Sequence, residues 1–217
     1  MTEDIYAQIG QLPHLDYQTY LVARPRLPKN GIYLFFERGE AIVRNGTVTP
    51  RVVRVGINTG NDGFRERLRK HYGHVRSLRG HKDKSAFRWH VGGALLNQEN
   101  AQDPGAEDWL TRGKAFPHIE ERVSQLLRDK FTFTFVRIDE LRDRRTLECG
   151  LIALLAQYRL TEPSPHWLGR YALSKAVTWS GLWNVDYVDA SPLTLEGFHL
   201  LKNLSKATLA EWNGLKD

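Results

Sequence analysis

The sequence predicts an α+β fold, because three short segments with the character of β-strands alternate with longer segments of helical periodicity. Residues 32–36 are an apolar run, residues 51–57 are rich in valine, and residues 131–138 alternate aromatic and β-branched residues with threonine. The clearest helical pattern, over residues 140–158, follows the third strand directly and carries a stripe of leucines. We therefore expect a small sheet with helices packed against it.

Several turn-forming residues precede the second strand. Residues 1–30 contain three prolines and are predicted to be a peripheral extension with a short helix over residues 12–20. The pair Asn30-Gly31 predicts a turn before the first strand. Residues 37–50, which include the turn pair Asn45-Gly46, indicate a hairpin connection to the second strand.

The second strand is followed by one helix and then by a long insertion. Asp62 is a suitable N-cap for a helix that ends at Gly73. Residues 74–117 show no single clear element, although residues 85–96 have a helical pattern and residues 98–105 indicate an exposed loop.

The second half of the chain predicts a helix over residues 118–128, an aromatic-rich segment over residues 167–187 and helical structure from Thr194 onward. The expected divisions are an N-terminal extension (1–30), a core (31–160) containing a basic insertion (74–117), and a C-terminal extension (161–217) packed on the core.

The bulk composition is that of a globular protein. The chain has 217 residues, of which 41% are hydrophobic and 26% charged. Its apolar runs are too short to span a bilayer, and residues 1–4 lack the features of a signal peptide. Cys149 is the single cysteine, which excludes an internal disulfide framework and a cysteine zinc cluster. We expect a soluble, cytoplasmic protein.

Positive charge is concentrated in one segment. The net charge is +6, but residues 65–88 contain nine basic and two acidic residues, which is +7, so the rest of the chain is close to neutral. Such a segment is typical of a surface that binds a polyanion. A solvated, charged loop is the alternative interpretation.

Several polar residues stand in patterns that suggest chemistry. Arg67 and His71 are four residues apart and share a helix face, where a guanidinium can bind phosphate oxygens. Tyr33 is either a core aromatic of the first strand or a reactive phenol, and Gly56 ends the second strand, where a missing side chain permits close approach.

Glu148 lies on the apolar stripe of its predicted helix. A carboxylate there needs a positive partner, which can be a divalent cation or the neighbouring Arg144 or Arg145. A zinc site through His71 and His74 is disfavoured, because no cysteine or matching second pair accompanies them.

These residues occur in the order that characterises the GIY-YIG nuclease superfamily. Gly31-Ile32-Tyr33 resembles its first motif, Arg67 and His71 resemble its helix motif, and Glu148 resembles its remote glutamate. The second motif reads Arg54-Val55-Gly56, so an arginine replaces the second tyrosine.

The resemblance implies a three-stranded antiparallel sheet flanked by helices, and hydrolysis of DNA with Mg²⁺ or Mn²⁺. It implies that Tyr33 is the general base, that His71 hydrogen-bonds the phenol, that Arg67 stabilises charge on the phosphate, and that Glu148 holds the metal. Arg54 stays protonated, so it cannot replace a phenol as a base, but it can bind phosphate.

The expected partner is DNA and no membrane, with the choice between a monomer and a homodimer open. Expected DNA contacts are Arg65, Arg69, Lys70, Arg76, Arg79, Lys82, Lys84, Arg88 and Asn184. The first interpretation is an endonuclease of restriction, defence or repair. The second is a non-catalytic nucleic-acid-binding protein on the same scaffold, and the third is an α/β protein with a coincidental tripeptide.

Overall fold

The structure is a computed structural model that describes residues 2–44, 46–60, 63–99, 108–114, 116–158 and 162–214. Its strands are β1 (Gly31–Arg44), β2 (Thr47–Ile57) and β3 (Phe131–Arg137). Its α-helices are α1 (Thr2–Ile9), α2 (Tyr17–Ala23), α3 (Gly63–Tyr72), α4 (Ala86–Gln98), α5 (Pro117–Lys130), α6 (Leu141–Gln157), α7 (Lys175–Ser180) and α8 (Leu195–Gly214). Short 3₁₀ helices occupy Arg24–Arg26, Lys82–Lys84 and Leu168–Tyr171.

The three strands form one antiparallel sheet in the order β2-β1-β3. In the central strand, Tyr33 pairs with Gly56 of β2 on one side and with Phe135 of β3 on the other. This arrangement confirms the expected α+β fold with a three-stranded antiparallel sheet and flanking helices.

Alternate side chains of β1 enter two separate cores, as the period of two in a strand requires. Tyr33 and Phe35 belong to an aromatic core with α3, α4 and α5. Ile32, Leu34 and Phe36 belong to an aliphatic core with α1, α6 and α8. The sheet is therefore covered on both faces, and Tyr33 lies on the aromatic face.

The predicted connection over residues 37–50 is wrong, because most of it is paired strand. Beyond an irregularity between Phe36 and Ala41, the pairing resumes and continues to Arg44 opposite Thr47. Gly39 has a φ of 92°, which an L side chain rarely adopts, and it allows the strand to deviate there and then continue. Asn45, predicted to be in the turn, lies outside the described residues.

The helices agree with most of the sequence expectations. The N-terminal helix predicted over residues 12–20 instead begins at Tyr17, because Leu15 forms a β-bridge with Phe133 and Asp16 caps the helix. The helix predicted over residues 85–96 is α4, with Ser85 as its N-cap. Asp62, the predicted cap of α3, and most of the loop predicted over residues 98–105 lie outside the described residues. None of the helices in the described ranges is long and apolar enough to cross a membrane.

Candidate active site

Tyr33 is positioned by the register of β1 and β2. Its cross-strand partner Gly56 has no side chain, and a Cβ atom there would collide with the Tyr33 hydroxyl. The glycine that ends the second motif therefore allows the tyrosine ring to lie across β2. Tyr33 is fully buried against Phe35 and Phe64.

His71 joins the Tyr33 hydroxyl to a second hydroxyl. Its Nε2 lies 2.7 Å from the Tyr33 Oη, and its Nδ1 lies 2.8 Å from Ser85 Oγ. Burial, and then the positive charges of nearby arginines, hold the pKa of His71 well below its usual value. The imidazole is therefore neutral, and it can donate only one of its two hydrogen bonds.

Arg67 lies one helical turn before His71 and is half-buried near both Tyr33 and Glu148. Its Nη1 donates to the Lys84 carbonyl over 3.3 Å, while its buried Nε has no hydrogen-bond partner among the described residues. Proximity to Tyr33 raises the pKa of Arg67, and burial opposes this shift. The guanidinium thus carries an unsatisfied donor beside the phenol.

Arg54 occupies the position of the second motif tyrosine and lies on the same face of the sheet as Tyr33. It is buried, it donates to the Trp183 carbonyl, and its guanidinium lies 5.0 Å from the centre of the Phe87 ring. Burial lowers its pKa, which nearby Tyr33 opposes. Its Nε also has no partner within the described ranges.

Glu148 reaches the end of β2 from α6. It lines an open cavity of about 310 Å³ together with Asn58, Arg67 and Lys70. Burial raises the pKa of Glu148, and the positive charges of Arg54 and Arg67 oppose this shift.

The predicted alternative partner Arg144 binds elsewhere. Its Nη1 donates to the carbonyls of Ile138 and Asp139, over 2.8 and 2.7 Å. Arg144 therefore binds backbone carbonyls just before α6 and does not neutralise the charge of Glu148.

The cavity at Glu148 fits a weakly held divalent cation. Among the described residues, no three His, Cys, Asp or Glu side chains converge as a metal cluster. A single carboxylate beside an open cavity suits Mg²⁺, which keeps several waters and takes oxygen ligands from phosphate. The same set does not suit zinc, which takes three or four protein ligands drawn from Cys, His, Asp and Glu.

Three of the expected DNA contacts are corrected, because their side chains are inside the protein. Arg88 is fully buried in an ion pair with Glu120, at 2.5 Å. Lys82 is buried and donates to the Thr111 carbonyl over 2.6 Å. The side-chain amide of Asn184 accepts from the Val55 N–H and donates to the Val55 carbonyl, so it satisfies both backbone groups of Val55 at the edge of β2.

The other basic residues lie at least partly at the surface. Arg65 donates to the carbonyls of Pro25 and Leu27, and Arg69 pairs with Glu66. Arg76 is exposed. A second cavity, of about 320 Å³, is lined by Arg69, Lys70, Gly73, His74, Arg79, Gly80, His81 and Lys84. We call this cavity the basic cleft, and Lys70 lines both it and the cavity at Glu148.

Ser85 is the site residue that the motifs did not indicate. The sequence signal for it was limited to helix capping, because serine before an apolar helical run is a typical N-cap. Its contact with His71 spans fourteen residues and depends on how α3 and α4 pack.

Comparison with known protein families agrees with this geometry. A family model described as the GIY-YIG domain matches residues 3–209, a range that includes every residue of the site described above. No curated protein and no solved structure matches the chain. Because the family model spans most of its length, the chain belongs to the GIY-YIG family.

Proposed function

We propose that this protein is a metal-dependent DNA endonuclease that hydrolyses phosphodiester bonds. GIY-YIG proteins are generally nucleases, which implies DNA as the substrate. The observation that carries the proposal is the meeting of Tyr33, Arg67, His71 and Glu148 at one end of β2. These residues come from β1, α3 and α6, and a phenol, a guanidinium, an imidazole and a carboxylate together suit phosphodiester hydrolysis.

The unsatisfied guanidinium donors support a phosphate ligand. A buried N–H group without an acceptor is rare in proteins and is destabilising by about 1–3 kcal/mol. Arg54 and Arg67 carry such an Nε group, and so do Arg26 and Arg144 outside the site, so it is the position of Arg67 on the open cavity that favours phosphate there. Arg67 also lines the open cavity, so a phosphate oxygen there can accept its hydrogen bond and gain charge stabilisation as negative charge develops.

Tyr33 is the proposed general base. Acting as the phenolate, its oxygen takes a proton from the attacking water and becomes the phenol, while the water oxygen forms the new bond to phosphorus and the bond to the leaving oxygen breaks. His71 holds the phenol oxygen in place through Nε2. Arg54 adds a fixed positive charge near this oxygen, and we assign it this electrostatic role because its side chain is buried and bonded to Trp183.

Glu148 is the proposed ligand of Mg²⁺ or Mn²⁺. When bound, the ion supplies Lewis-acid stabilisation of negative charge on the phosphate and the leaving oxygen. Glu148 would bind and orient the ion, and the positive charges of Arg54 and Arg67 oppose the rise in its pKa that burial causes.

A non-catalytic nucleic-acid-binding protein is the second candidate. The observation that favours it is Arg54, since the phenol normally found in the second motif is replaced by a group that cannot accept a proton. The two candidates differ in one measurable property, which is cleavage.

Glu148→Ala provides the decisive test on plasmid DNA with and without Mg²⁺. We expect the unmodified protein to nick or linearise the plasmid only with Mg²⁺ or Mn²⁺, and the variant to lose this activity while its affinity for DNA persists. Glu196→Ala, an exposed carboxylate in the first turn of α8, is the matched control. Full activity of a folded Glu148→Ala protein contradicts the metal assignment. Absence of cleavage by the unmodified protein favours the second candidate, a non-catalytic nucleic-acid-binding protein.

A further inference from the structure

The Ser85 hydroxyl links the insertion to the candidate active site. Ser85 precedes α4 and is 1% exposed. Its Oγ accepts the backbone N–H of Arg88 over 3.2 Å, as an N-cap does, and lies 2.8 Å from His71 Nδ1. One hydroxyl therefore serves both the start of a helix and the side chain that contacts Tyr33.

The proton of this hydroxyl needs an acceptor. A serine hydroxyl donates one hydrogen bond, and among the described residues only His71 Nδ1 is placed to receive it. If His71 instead donated from Nδ1, the buried Ser85 proton would have no partner. An unsatisfied buried donor costs about 1–3 kcal/mol, so with Tyr33 as the phenolate of the proposed base this cost selects the tautomer in which Nδ1 accepts.

We propose that Ser85 is a positioning residue that donates to His71 Nδ1 and holds the neutral imidazole in the tautomer with its proton on Nε2. His71 then donates to the Tyr33 oxygen rather than accepting from it. The insertion thus contributes to the active site through Ser85, and not through its basic residues alone.

The surroundings of His71 agree with a fixed, neutral donor. Arg67, Arg54 and Arg88 all oppose a second proton on the ring, so His71 is a poor acceptor for the Tyr33 proton. The positive charges of Arg54 and Arg67 instead favour negative charge on the Tyr33 oxygen. In the proposed reaction, which this inference takes as its basis, the water proton moves to the Tyr33 phenolate and His71 keeps its own.

Nitrogen-15 NMR of the histidine rings tests the tautomer independently of cleavage. We expect His71, assigned through its ring contacts with Tyr33 and Phe87, to carry its proton on Nε2 in the unmodified protein. Ser85→Gly removes the hydroxyl while keeping most of the capping, because glycine is a fair N-cap, and it should shift the proton toward Nδ1. A proton on Nδ1 in the unmodified protein, or an unchanged tautomer in Ser85→Gly, overturns the proposal.

Single-turnover cleavage tests the consequence for chemistry. Ser85→Gly and Ser85→Ala should each lower the cleavage rate roughly tenfold at unchanged DNA affinity, and Ser85→Thr, which retains a hydroxyl, should restore most of it. Asp16→Ala is the matched control, since Asp16 caps α2 through the Thr19 N–H over 2.8 Å. It should lower the melting temperature to a similar extent as Ser85→Ala and leave the rate unchanged. Equal rate losses in both capping variants would assign Ser85 a purely structural role. If the unmodified protein cleaves no DNA, the proposed function fails and the NMR result still decides the tautomer.

Discussion

The Tyr33 oxygen is the point at which the candidate chemistry can be tested most directly. It contacts His71 at 2.7 Å and lies near two guanidinium groups, while Gly56 leaves room for the ring. Removing this one oxygen preserves the packing of the ring with Phe35 and Phe64, so its effect on rate can be separated from its effect on folding.

Tyr33→Phe should lower the single-turnover cleavage rate by about 100- to 10,000-fold, because a general base contributes roughly that factor. DNA affinity should change little, since Tyr33 is buried and in the proposed reaction acts on the attacking water rather than on the phosphate. Tyr72→Phe is a matched control, because Tyr72 is equally buried in the same core and donates to the Phe131 carbonyl over 3.2 Å. A Tyr33→Phe variant that cleaves at the original rate excludes Tyr33 as the base.

At the residue scale, the sequence predicted which motif side chains can meet. It did not predict which basic side chains are buried and what they bind. Helix spacing placed Arg67 and His71 on one face, and the resemblance to the family motif selected Tyr33. The burial of Arg88 could not, because it depends on Glu120, thirty-two residues away. The burial of Lys82 likewise depends on Trp89, whose ring centre lies 4.6 Å from the ammonium. Both lysine and arginine are usually exposed, so charge counting alone overestimated the number of residues expected to contact DNA.

At the scale of elements, the basic cleft gives the polyanion hypothesis a location. It lies between the last turn of α3 and residues 73–84, and Lys70 connects it to the cavity at Glu148. A strand of DNA whose phosphate is held at Arg67 can place its neighbouring phosphates along this cleft. Lys70, Arg79 and Lys84 then contribute affinity without contacting the reacting atoms.

Replacing Lys70, Arg79 and Lys84 together by alanine should weaken binding to duplex DNA and flatten its salt dependence. Each lost phosphate contact reduces the slope of log K against log salt by about 0.9, so three contacts correspond to about 2.7. The control removes the same charge from α7 and α8 through Lys175, Lys202 and Lys206, which are exposed. Titrations at several salt concentrations give both slopes. Identical slopes for the two triple variants would show that the cleft does not contact phosphate.

The elements themselves were predictable where one periodicity dominated. The pattern over residues 131–138 and the leucine stripe over 140–158 correspond to β3 and α6 with ends that differ by about one residue. The length of β1 was not predictable, because Glu37 and Glu40 look like hairpin residues in the sequence. They are buried in the structure by Arg51 and by tryptophans from the C-terminal segment, which no local pattern reveals.

At the scale of the whole molecule, segments outside the strands cover both edges of the sheet. On the β2 side, the Trp183 N–H donates to the Val53 carbonyl and Asn184 bonds Val55. On the β3 side, Leu15 and Phe133 exchange backbone hydrogen bonds. An uncovered edge strand promotes pairing with other chains, so these segments protect a sheet of only three strands. The division of the chain into extensions and core stays a prediction.

Glu37 of β1 forms hydrogen bonds with two tryptophans of the C-terminal segment. Its Oε2 accepts from Trp167 Nε1 over 3.0 Å and from Trp183 Nε1 over 3.1 Å. The backbone carbonyl of Trp183 in turn accepts a hydrogen bond from Arg54, so Trp183 and Arg54 connect the Glu37 carboxyl to the candidate active site. Burial raises the pKa of Glu37 from 4.5 to about 7, although the two indole donors oppose the shift.

This shift makes stability depend on pH with a defined sign. Between pH 4.5 and about 7 the folded protein retains a proton on Glu37 that the unfolded chain has lost, so this group makes the free energy of unfolding fall as pH rises through that window. The full change is up to about 3 kcal/mol, at about 1.4 kcal/mol for each pKa unit.

Glu37→Gln keeps an oxygen acceptor for both indoles and cannot ionise. Urea denaturation at a series of pH values should therefore show a shallower decline for Glu37→Gln than for the unmodified protein, with the difference developing below about pH 7 and constant above it. Glu196→Gln, an exposed carboxyl on α8, should retain the original profile. Parallel profiles for Glu37→Gln and the unmodified protein would show that Glu37 has no raised pKa, and that the indoles hold it ionised throughout.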